Sequence, residues 1–295
     1  MAGGRLALAV VRRDAPGSAV LERCELLQLP APASAESLAA LLQGAQLPRL
    51  PVSWALQSSD YQLVTVEAPD VPPAELRAAM RWRLKDLIDM RIEDAVIDVF
   101  AVPSPARGTQ GKMMYAIAAS RSVVEGLSTT LAGLPSFDVV DVPELCVRNL
   151  LSLLPAAQGG VAMLQLGEQS ASVIVVRGTT YFFSRQMNLR ANLDAQARTE
   201  GGASFDADSV VLELQRSLDY YERQFDQPPI TRLVVAPIGA RGEALAAALA
   251  RESGFEVSML DLNTLLKCTG PVPADVQAAC LHAVGAALRE ERRTL

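Results

Sequence analysis

The chain has 295 residues, of which 50% are hydrophobic and 20% are charged, with 27 basic against 33 acidic side chains. That length and composition predict one large or two ordinary folded domains. The net charge of -6 argues against nonspecific binding to nucleic acid or anionic lipid, because such binding depends on phosphate neutralisation by Lys and Arg.

The first apolar stretch, residues 6–11, closes on Arg12 and Arg13 without a signal-peptide cleavage site. No window approaches the roughly 20 apolar residues that span a bilayer as a helix. The four cysteines are scattered without a C-x-x-C pair, so we expect them to be reduced, buried and apolar in character. These features predict a cytoplasmic protein with no membrane span of its own.

His282 is the single histidine of the chain, and this excludes most catalytic and metal sites that depend on several histidines. Catalytic triads and most zinc sites need an imidazole with an orienting partner. His282 lies in an Ala-rich helical pattern without a carboxylate beside it, which predicts a partly buried helix residue. The sequence also lacks the G-x-S-x-G, P-loop and H-E-x-x-H motifs. We therefore predict no catalytic residues and no metal site.

The first half predicts strands that alternate with helices, as in α/β proteins. A hairpin comes first, and an apolar period of 3.6 after Pro72 and Pro73 marks a helix over 74–89, with Leu76, Met80, Leu84 and Leu87 as its buried stripe. Strands are predicted at 5–13, 19–29, 52–57, 61–69, 95–103, 113–120 and 137–142, and helices at 35–42, 74–89, 122–132 and 143–154. A change of composition at 155–160 suggests a domain boundary.

The second half opens with three strands that predict an antiparallel meander. In its third strand, Tyr181, Phe183, Arg185 and Met187 are predicted to share one face, where Arg185 lines a cleft or caps its edge. The helix over 206–225 carries the clearest apolar period of the chain, and Pro228 stops it. Strands are predicted at 161–166, 172–178, 179–187, 231–237 and 255–260, a polar loop at 191–204, and helices at 206–225, 240–254 and 274–290.

Four segments in this order carry a family resemblance: ELRAAMRWRLKDLIDMRIEDAVIDVF, FDVVDVPELCVRNLL, VAMLQLGEQSASVIVVRGTTYFFSRQM and ELQRSLDYYERQFDQPPITRLVVAP. The chain resembles the actin-like pilus-assembly proteins of the PilM group over about two thirds of its length. The resemblance implies an actin-like, ribonuclease H-like duplicated α/β fold. It implies a first domain at 1–157 with an inserted subdomain at about 60–135, and a second domain at 158–295 whose closing helix packs near the interdomain region.

Three losses at the turns of the nucleotide cleft and one reduced insertion depart from the family pattern. The family places an acidic residue in each of two hairpin turns, where this chain has Ala9 or Val10 beside Arg12, and Gln165. Carboxylates hold magnesium-bound water in such sites. Gly167, Ser170 and Gly239 remain as a vestigial cleft, but Pro237 and Ile238 replace a Gly-Gly turn. The short loop at 191–204 implies that the insertion subdomain of the second domain is reduced or missing.

We therefore expect a pseudo-ATPase without a cofactor. The alternative is an ATP-binding switch or slow ATPase with ATP and magnesium as ligands, which Gly167, Ser170 and Gly239 favour. A cytoplasmic component of a type II secretion system is a third reading, weakened because no membrane helix follows Leu295.

The predicted helix 74–89 offers candidates for partner binding. Trp82 falls almost opposite the buried stripe, where it either packs on another element or anchors an interface. Arg77, Arg81 and Lys85 form a basic stripe that is either a solvated face or a dock for an acidic segment or the inner leaflet.

The resemblance implies a definite partner and place. The partner is the cytoplasmic tail of a bitopic inner-membrane pilus protein, bound as an extended segment in a groove of the first domain. Trp54, Tyr61 and Phe100 suit the core as well as such a groove. The pilus assembly ATPase is a second expected partner, in a type IV pilus of the mannose-sensitive haemagglutinin type. The protein would then lie at the cytoplasmic side of the inner membrane through its partners, without binding nucleic acid.

Overall fold

A computed structural model gives the structure of the protein, and it describes residues 4–15, 18–30, 34–47, 50–103, 112–132, 137–167, 171–187, 207–238 and 240–290. The strands of the first half are β1 (Arg5–Ala15), β2 (Ser18–Gln28), β3 (Val52–Ala55), β4 (Tyr61–Glu67), β5 (Ala95–Ala101), β6 (Met113–Ser120) and β7 (Phe137–Asp141). Its α-helices are α1 (Ala35–Gly44), α2 (Leu76–Leu84), α3 (Arg121–Leu131) and α4 (Pro143–Leu151).

The second half continues with a meander and then alternates strands with helices. Its strands are β8 (Val161–Leu166), β9 (Ala171–Arg177), β10 (Thr180–Met187), β11 (Arg232–Val235), β12 (Glu256–Met259) and β13 (Lys267–Cys268). Its α-helices are α5 (Ala207–Phe225), α6 (Ala240–Glu252), α7 (Leu262–Leu265) and α8 (Ala274–Ala287). Short 3₁₀ helices lie at Pro73–Glu75, Ile92–Asp94 and Pro155–Gly159.

The two halves repeat one order of elements. In the second half the antiparallel meander β8–β9–β10 is extended by two parallel strands, which gives the sheet order β10–β9–β8–β11–β12. The first half has the hairpin β1–β2 and the parallel pair β3–β7. Parallel neighbours need crossover connections, which α5 and α6 supply in the second half. This duplicated α/β arrangement confirms the predicted fold class.

A separate subdomain is inserted between β3 and β7 of the first half. Its antiparallel sheet has the order β4–β6–β5, and α2 covers one face with Met80 and Leu84, which are fully buried. Its other face places Tyr115 against Tyr181 of β10, with ring centroids 5.3 Å apart. The subdomain therefore contacts the second half directly.

The predicted helix over 74–89 is wrong at both ends. The α-helix runs only over Leu76–Leu84, because residues 73–75 form a 3₁₀ turn. At the other end the carbonyl of Leu84 accepts hydrogen bonds from both Leu87 N and Ile88 N, which turns the chain. Ile88 is consequently buried, whereas Leu87, predicted to be in the buried stripe, is 53% exposed.

The predicted alternation along β10 is broken by a bulge. Tyr181 pairs with Val176 and Phe183 with Val175, so one residue of β10 is left over between them. Tyr181 therefore faces Tyr115 and Phe100, while Phe183 packs against Tyr221 of α5. A bulge changes the face of every side chain that follows it, and Tyr181 no longer shares a face with Phe183.

Two elements of the second half complete the first half. β13 pairs in parallel with β2, and α8 packs against α4, β1, β2 and β3. At the helix crossing, a Cβ on Gly285 would lie 2.2 Å from the carbonyl oxygen of Cys146. Only glycine permits so close an approach of two backbones.

The cysteines and the hydropathy of the helices complete this description. All four cysteines are free, Cys146 and Cys280 buried and Cys24 and Cys268 half-buried. Across the described ranges, no helix combines the length and the apolar character that a bilayer crossing requires. The predicted loop over 191–204 lies outside the described residues, between the end of β10 at Met187 and the start of α5 at Ala207.

Candidate functional site

A cleft of about 2450 Å³ lies between the two halves and extends into the first. Its lining includes residues of β1, β3 and β7, of β8, β9 and β10, and of α1, α3 and α8. The meander of the second half and the hairpin of the first thus meet at one cavity, as the duplicated order of strands dictates. This cleft is the candidate functional site.

Gln165 and His282 face each other across the cleft. Gln165 Nε2 lies 3.0 Å from His282 Nε2, and burial lowers the pKa of His282 to about 4. The ring is therefore neutral near pH 7, and a neutral imidazole has one acceptor nitrogen for the amide of Gln165. The residue in the family's acidic position is consequently engaged with α8 of its own chain.

The β1 end of the cleft carries two arginines that bind residues of this chain. Arg12 forms an ion pair with Glu22 of β2. Arg13 donates to the carbonyl oxygen of Leu288 and pairs with Glu290, both just beyond the end of α8. Cations near a helix C-terminus interact favourably with its carbonyls. Arg13 therefore ties the first hairpin to the closing helix.

Of the remaining residues predicted for the vestigial cleft, the structure describes only Gly167. Gly167 follows β8 and is exposed at the cleft lining, and the exposed side chain of Arg185 lines the cleft as well. The sequence left two positions open for Arg185, lining the cleft or capping its edge, and the structure places it in the lining. Ser170 and Gly239 lie outside the described residues.

A buried ion pair closes the α8 side of the cleft. Arg289 Nη1 lies 2.8 Å from Asp141 Oδ2, and Asp141, the last residue of β7, is only 2% exposed. Nearby, Asn149 of α4 donates to the carbonyl oxygen of Gly285 over 2.9 Å. These contacts hold the end of α8 against the first half.

A second acidic residue, Glu144, lies half-buried close to this pair. It accepts a hydrogen bond from the hydroxyl of Tyr61, and burial raises the pKa of Glu144 above its usual value. Tyr61 is therefore part of the core, and Phe100 packs in an aromatic cluster with Tyr115 and Tyr181. Of the three predicted groove candidates, Tyr61 is buried and Trp54 and Phe100 are half-buried, and both Trp54 and Tyr61 line the cleft.

The partner candidates on α2 lie away from the cleft, on the inserted subdomain. Trp82 is 79% exposed, so the packed alternative for this indole is wrong. Arg81 donates to the carbonyl oxygens of Ile92 and Ala95, which makes it a structural residue of the subdomain. Arg77 lies 4.0 Å from Asp98, and Lys85 is exposed at the end of the helix.

The side chains at the two family turn positions do not fit magnesium-bound ATP. Position 165 offers an amide already bonded to His282, and positions 9 and 10 offer apolar side chains on β1. Magnesium prefers carboxylate and water ligands in octahedral geometry. Within the ranges described above, no group of three or more His, Cys, Asp and Glu residues is arranged to hold a metal ion.

Sequence reasoning missed the bonds that Arg13, Asp141 and Arg289 make. The sequence contained a weak signal for one of them, because an aspartate at the end of an apolar strand is buried only when it is paired. No pattern in the sequence connects Asp141 with Arg289, since they are 148 positions apart.

The order of strands and helices in the two halves is that of an actin-like fold. Among solved structures, the PilM-PilN type IV pilus biogenesis complex matches with a TM-score of 0.69 and 20% identity over 97% of this chain and 95% of that chain. At that identity the likeness shows the fold alone.

Two further solved structures match over most of their length with lower scores. The cytoplasmic domain of EpsL, an inner membrane component of the type II secretion system of Vibrio cholerae, has a TM-score of 0.43, 14% identity and 94% coverage of both chains. A Bacteroides thetaiotaomicron protein with an actin-like ATPase fold has a TM-score of 0.48 and 8% identity over 93% of this chain and 95% of that one. No protein-family model and no curated protein matches the sequence.

Proposed function

We propose that this protein is a scaffold on the cytoplasmic side of a type IV pilus assembly machine. In this role it binds the cytoplasmic tail of a single-span inner-membrane pilus component and connects it to the assembly motor. We propose further that the machine is a pilus of the mannose-sensitive haemagglutinin type, in which this chain takes the place of the PilM-like protein MshI.

One observation carries this proposal. The fold matches PilM, taken from a complex with PilN, over 97% of the chain. The four sequence segments that resemble the PilM group include the helix α2, the β7–α4 segment, the meander and the helix α5. A fold alone hosts many functions, and the agreement between fold and ordered segments is what favours pilus assembly.

We propose in addition that the protein does not hydrolyse ATP. The support is the engaged amide of Gln165 and the apolar residues at the matching position of β1. Without a carboxylate at either turn, magnesium would have few oxygen ligands. The negative charge of the phosphates would then be poorly neutralised. The alternative of a nucleotide switch is favoured by the exposed Gly167 and by Arg185 at the cleft lining.

The binding of the tail is tested by titrating the purified protein with a fluorescein-labelled synthetic peptide of the partner's cytoplasmic tail. Fluorescence anisotropy should report saturable binding, and a peptide of the same composition in scrambled order should not bind. Equal binding of the two peptides, or none by either, would contradict the scaffold.

The nucleotide proposal is tested by the melting temperature with and without excess ATP and Mg²⁺. A ligand at 100 times its Kd stabilises the native state by about 2.7 kcal/mol, which raises the melting temperature by several degrees. We expect no shift. A magnesium-dependent rise would favour the switch, and the variant Gln165→Arg, which places a bulky cation at the cleft, should then abolish it.

A further inference from the structure

The helix α2 presents one aromatic side chain straight away from the protein. Met80 and Leu84, two positions before and after Trp82, are fully buried in the core of the inserted subdomain. Two positions correspond to about 200° around an α-helix, so the indole of Trp82 points away from the buried face. Trp82 is 79% exposed, more than any other large apolar residue among those described.

The outer face of α2 does not have the composition of a protein interface. Ala78 and Ala79 lie one turn before Trp82, and Lys85 and Asp86 lie one turn after it. The indole therefore stands among small and charged side chains. The centre of a protein interface is depleted of charged residues, and its anchor is surrounded by contacts that exclude water. A bilayer surface fits this face better, because the headgroup region takes up an indole while neighbouring cations stay hydrated.

The charge of α2 is opposite to that of the whole chain. Its nine residues include three arginines and no carboxylate, whereas the chain has a net charge of -6. Arg77 and Arg83 make only exposed ion pairs with neighbouring strands, and such pairs contribute little. Arg81 bonds to backbone carbonyl oxygens, and Lys85 is exposed at the end of the helix. The outer face of α2 is therefore complementary to an anionic surface.

The position of α2 is fixed by its own subdomain. Arg81 donates to the carbonyl oxygens of Ile92 and Ala95, and the buried side chains of the helix pack on the sheet β4–β6–β5. Trp82 is thus presented on a formed helix, and docking needs no folding of the chain. The conformational entropy lost on docking is limited to a few surface side chains.

We propose that α2 docks on the anionic surface of the inner membrane, with the indole of Trp82 in the headgroup region and with Arg77, Arg83 and Lys85 close to the lipid phosphates. The bilayer as the occupant is inferred from the side chains of α2. Its assignment to the inner membrane rests on the proposed function.

A contact of this size is weak on its own. A single myristoyl chain, which buries much more apolar surface than one indole, gives an association constant of only about 10⁴ M⁻¹. In the pilus machine the partner's tail holds the protein beside the bilayer, and the weak contact then acts at a high effective concentration. The helix α2 therefore orients the protein on the membrane, whereas the tail recruits it.

Tryptophan fluorescence tests the docking directly, because the chain has only two tryptophans. In the variant Trp54→Phe all tryptophan emission comes from Trp82. Vesicles of phosphatidylethanolamine with phosphatidylglycerol should shift this emission to shorter wavelength, with a half-maximal effect at about 1 mM lipid. Lipids brominated near the top of their acyl chains should quench it. An emission that neither shifts nor is quenched, even at ten times that lipid concentration, would overturn the proposal.

The charge complementarity predicts how binding depends on lipid and salt. Each Lys or Arg near an anionic surface contributes roughly fivefold to the affinity, and salt screens this attraction. Vesicles of phosphatidylcholine alone should therefore bind at least tenfold more weakly than the anionic vesicles, and high salt should weaken the anionic vesicles to a similar extent. Equal affinity for charged and uncharged vesicles would contradict an anionic surface as the occupant.

Two pairs of variants, measured by vesicle flotation, assign the contact to α2. Trp82→Ser and Lys85→Glu should each weaken binding about fivefold or more. Their controls are Leu212→Ser on α5 and Arg251→Glu on α6, which change an exposed apolar side chain and an exposed charge elsewhere. Both controls should bind as the wild type does. Lys85→Glu and Arg251→Glu have the same net charge, so an equal loss in both would contradict docking through α2.

Failure of this contact is distinguishable from failure of the proposed function. Vesicle binding needs no tail peptide, so its absence beside intact tail binding would overturn the membrane contact alone. Vesicle binding without tail binding would overturn the scaffold alone. If Trp82→Ser weakens co-purification with assembly proteins in detergent and leaves vesicle binding unchanged, α2 is a protein interface and the proposal is wrong.

Discussion

His282 is kept neutral by burial, and folding stability should therefore depend on pH. Its pKa of about 4 in the folded chain lies below the value of about 6.5 expected for an unfolded chain. The unfolded state thus binds the proton first as the pH falls. The stabilising contribution is complete above pH 6.5 and is lost progressively between pH 6.5 and pH 4.

This pH effect is measured by denaturant unfolding of the wild type and His282→Gln at pH 7, 6 and 5. Between pH 6 and 5 the wild type should lose about 1 kcal/mol more than the variant, since one proton per pH unit corresponds to about 1.4 kcal/mol. Subtraction of the variant removes the opposite effect of Glu144, whose raised pKa favours the folded state as the pH falls. Parallel pH profiles would show that His282 titrates normally.

Gly285 is required by the close contact of two helix backbones. A Cβ at this position would lie 2.2 Å from the carbonyl oxygen of Cys146, and backbone atoms cannot yield as a flexible side chain does. Gly285→Ala should therefore destabilise the protein by about 2 to 3 kcal/mol. Chemical denaturation measures this change.

The control for that substitution is Gly126→Ala in α3. Nothing lies within 4 Å of a Cβ at Gly126, and alanine is the better helix former by about 1 kcal/mol. This variant should be equal to the wild type or more stable. A destabilisation of the same size in both variants would mean that the contact with Cys146 is not the cause.

At the scale of elements, α2 is an exposed helix with an indole on its outer side. Trp82 is 79% exposed, so Trp82→Ser should change the free energy of unfolding by less than about 0.5 kcal/mol. If the helix is a second interface of the pilus machine, the same variant and Lys85→Glu should weaken co-purification with the assembly complex. Arg81 is unsuited to this test because it bonds to the backbone of the subdomain.

The controls for α2 come from exposed residues of other helices. Leu212→Ser on α5 removes an exposed apolar side chain, and Arg251→Glu on α6 reverses an exposed charge. Both should leave co-purification unchanged. Loss of co-purification in all four variants would indicate a general effect on the protein rather than a contact through α2.

The elements with a strong periodic signal could be predicted from the sequence. The meander β8–β10 is indicated by three consecutive apolar runs separated by short polar turns, and the helix α5 by a 3.6-residue period over a long segment, and both are confirmed. The end of α2 could not be predicted, because Leu87 fits the helical period and only the turn at Leu84 exposes it. Strand β13 has two residues and exists only because β2 offers it an edge.

The cleft was predictable in part and for a definite reason. The family pattern identifies Gln165 as the residue at an acidic position of the cleft. Its hydrogen bond to His282 could not be predicted, because it depends on α8 packing across the boundary between the halves. The separation of β1 from β3 leaves no trace in the sequence, because each has an ordinary strand pattern. Among the described residues it shows in the sheet order, where the two strands are not hydrogen-bonded neighbours.

At the scale of the whole molecule, the halves should unfold together. β13 and α8 follow the predicted boundary at residue 157, yet they pack on β1, β2 and α4. Calorimetry should show a single transition whose calorimetric and van't Hoff enthalpies agree. Two transitions would mean that the halves are independent domains.

The arrangement of α8 also has a consequence for biosynthesis. Residues 5–13 leave the ribosome roughly 260 positions before α8, and at 5 to 20 residues per second this delay lasts on the order of 10 to 50 s. During translation the apolar face of β1, with Ala7, Ala9 and Val11, has no helix to cover it. The nascent chain is therefore a substrate for chaperones over most of its synthesis, and its earliest strand is among the last to be buried.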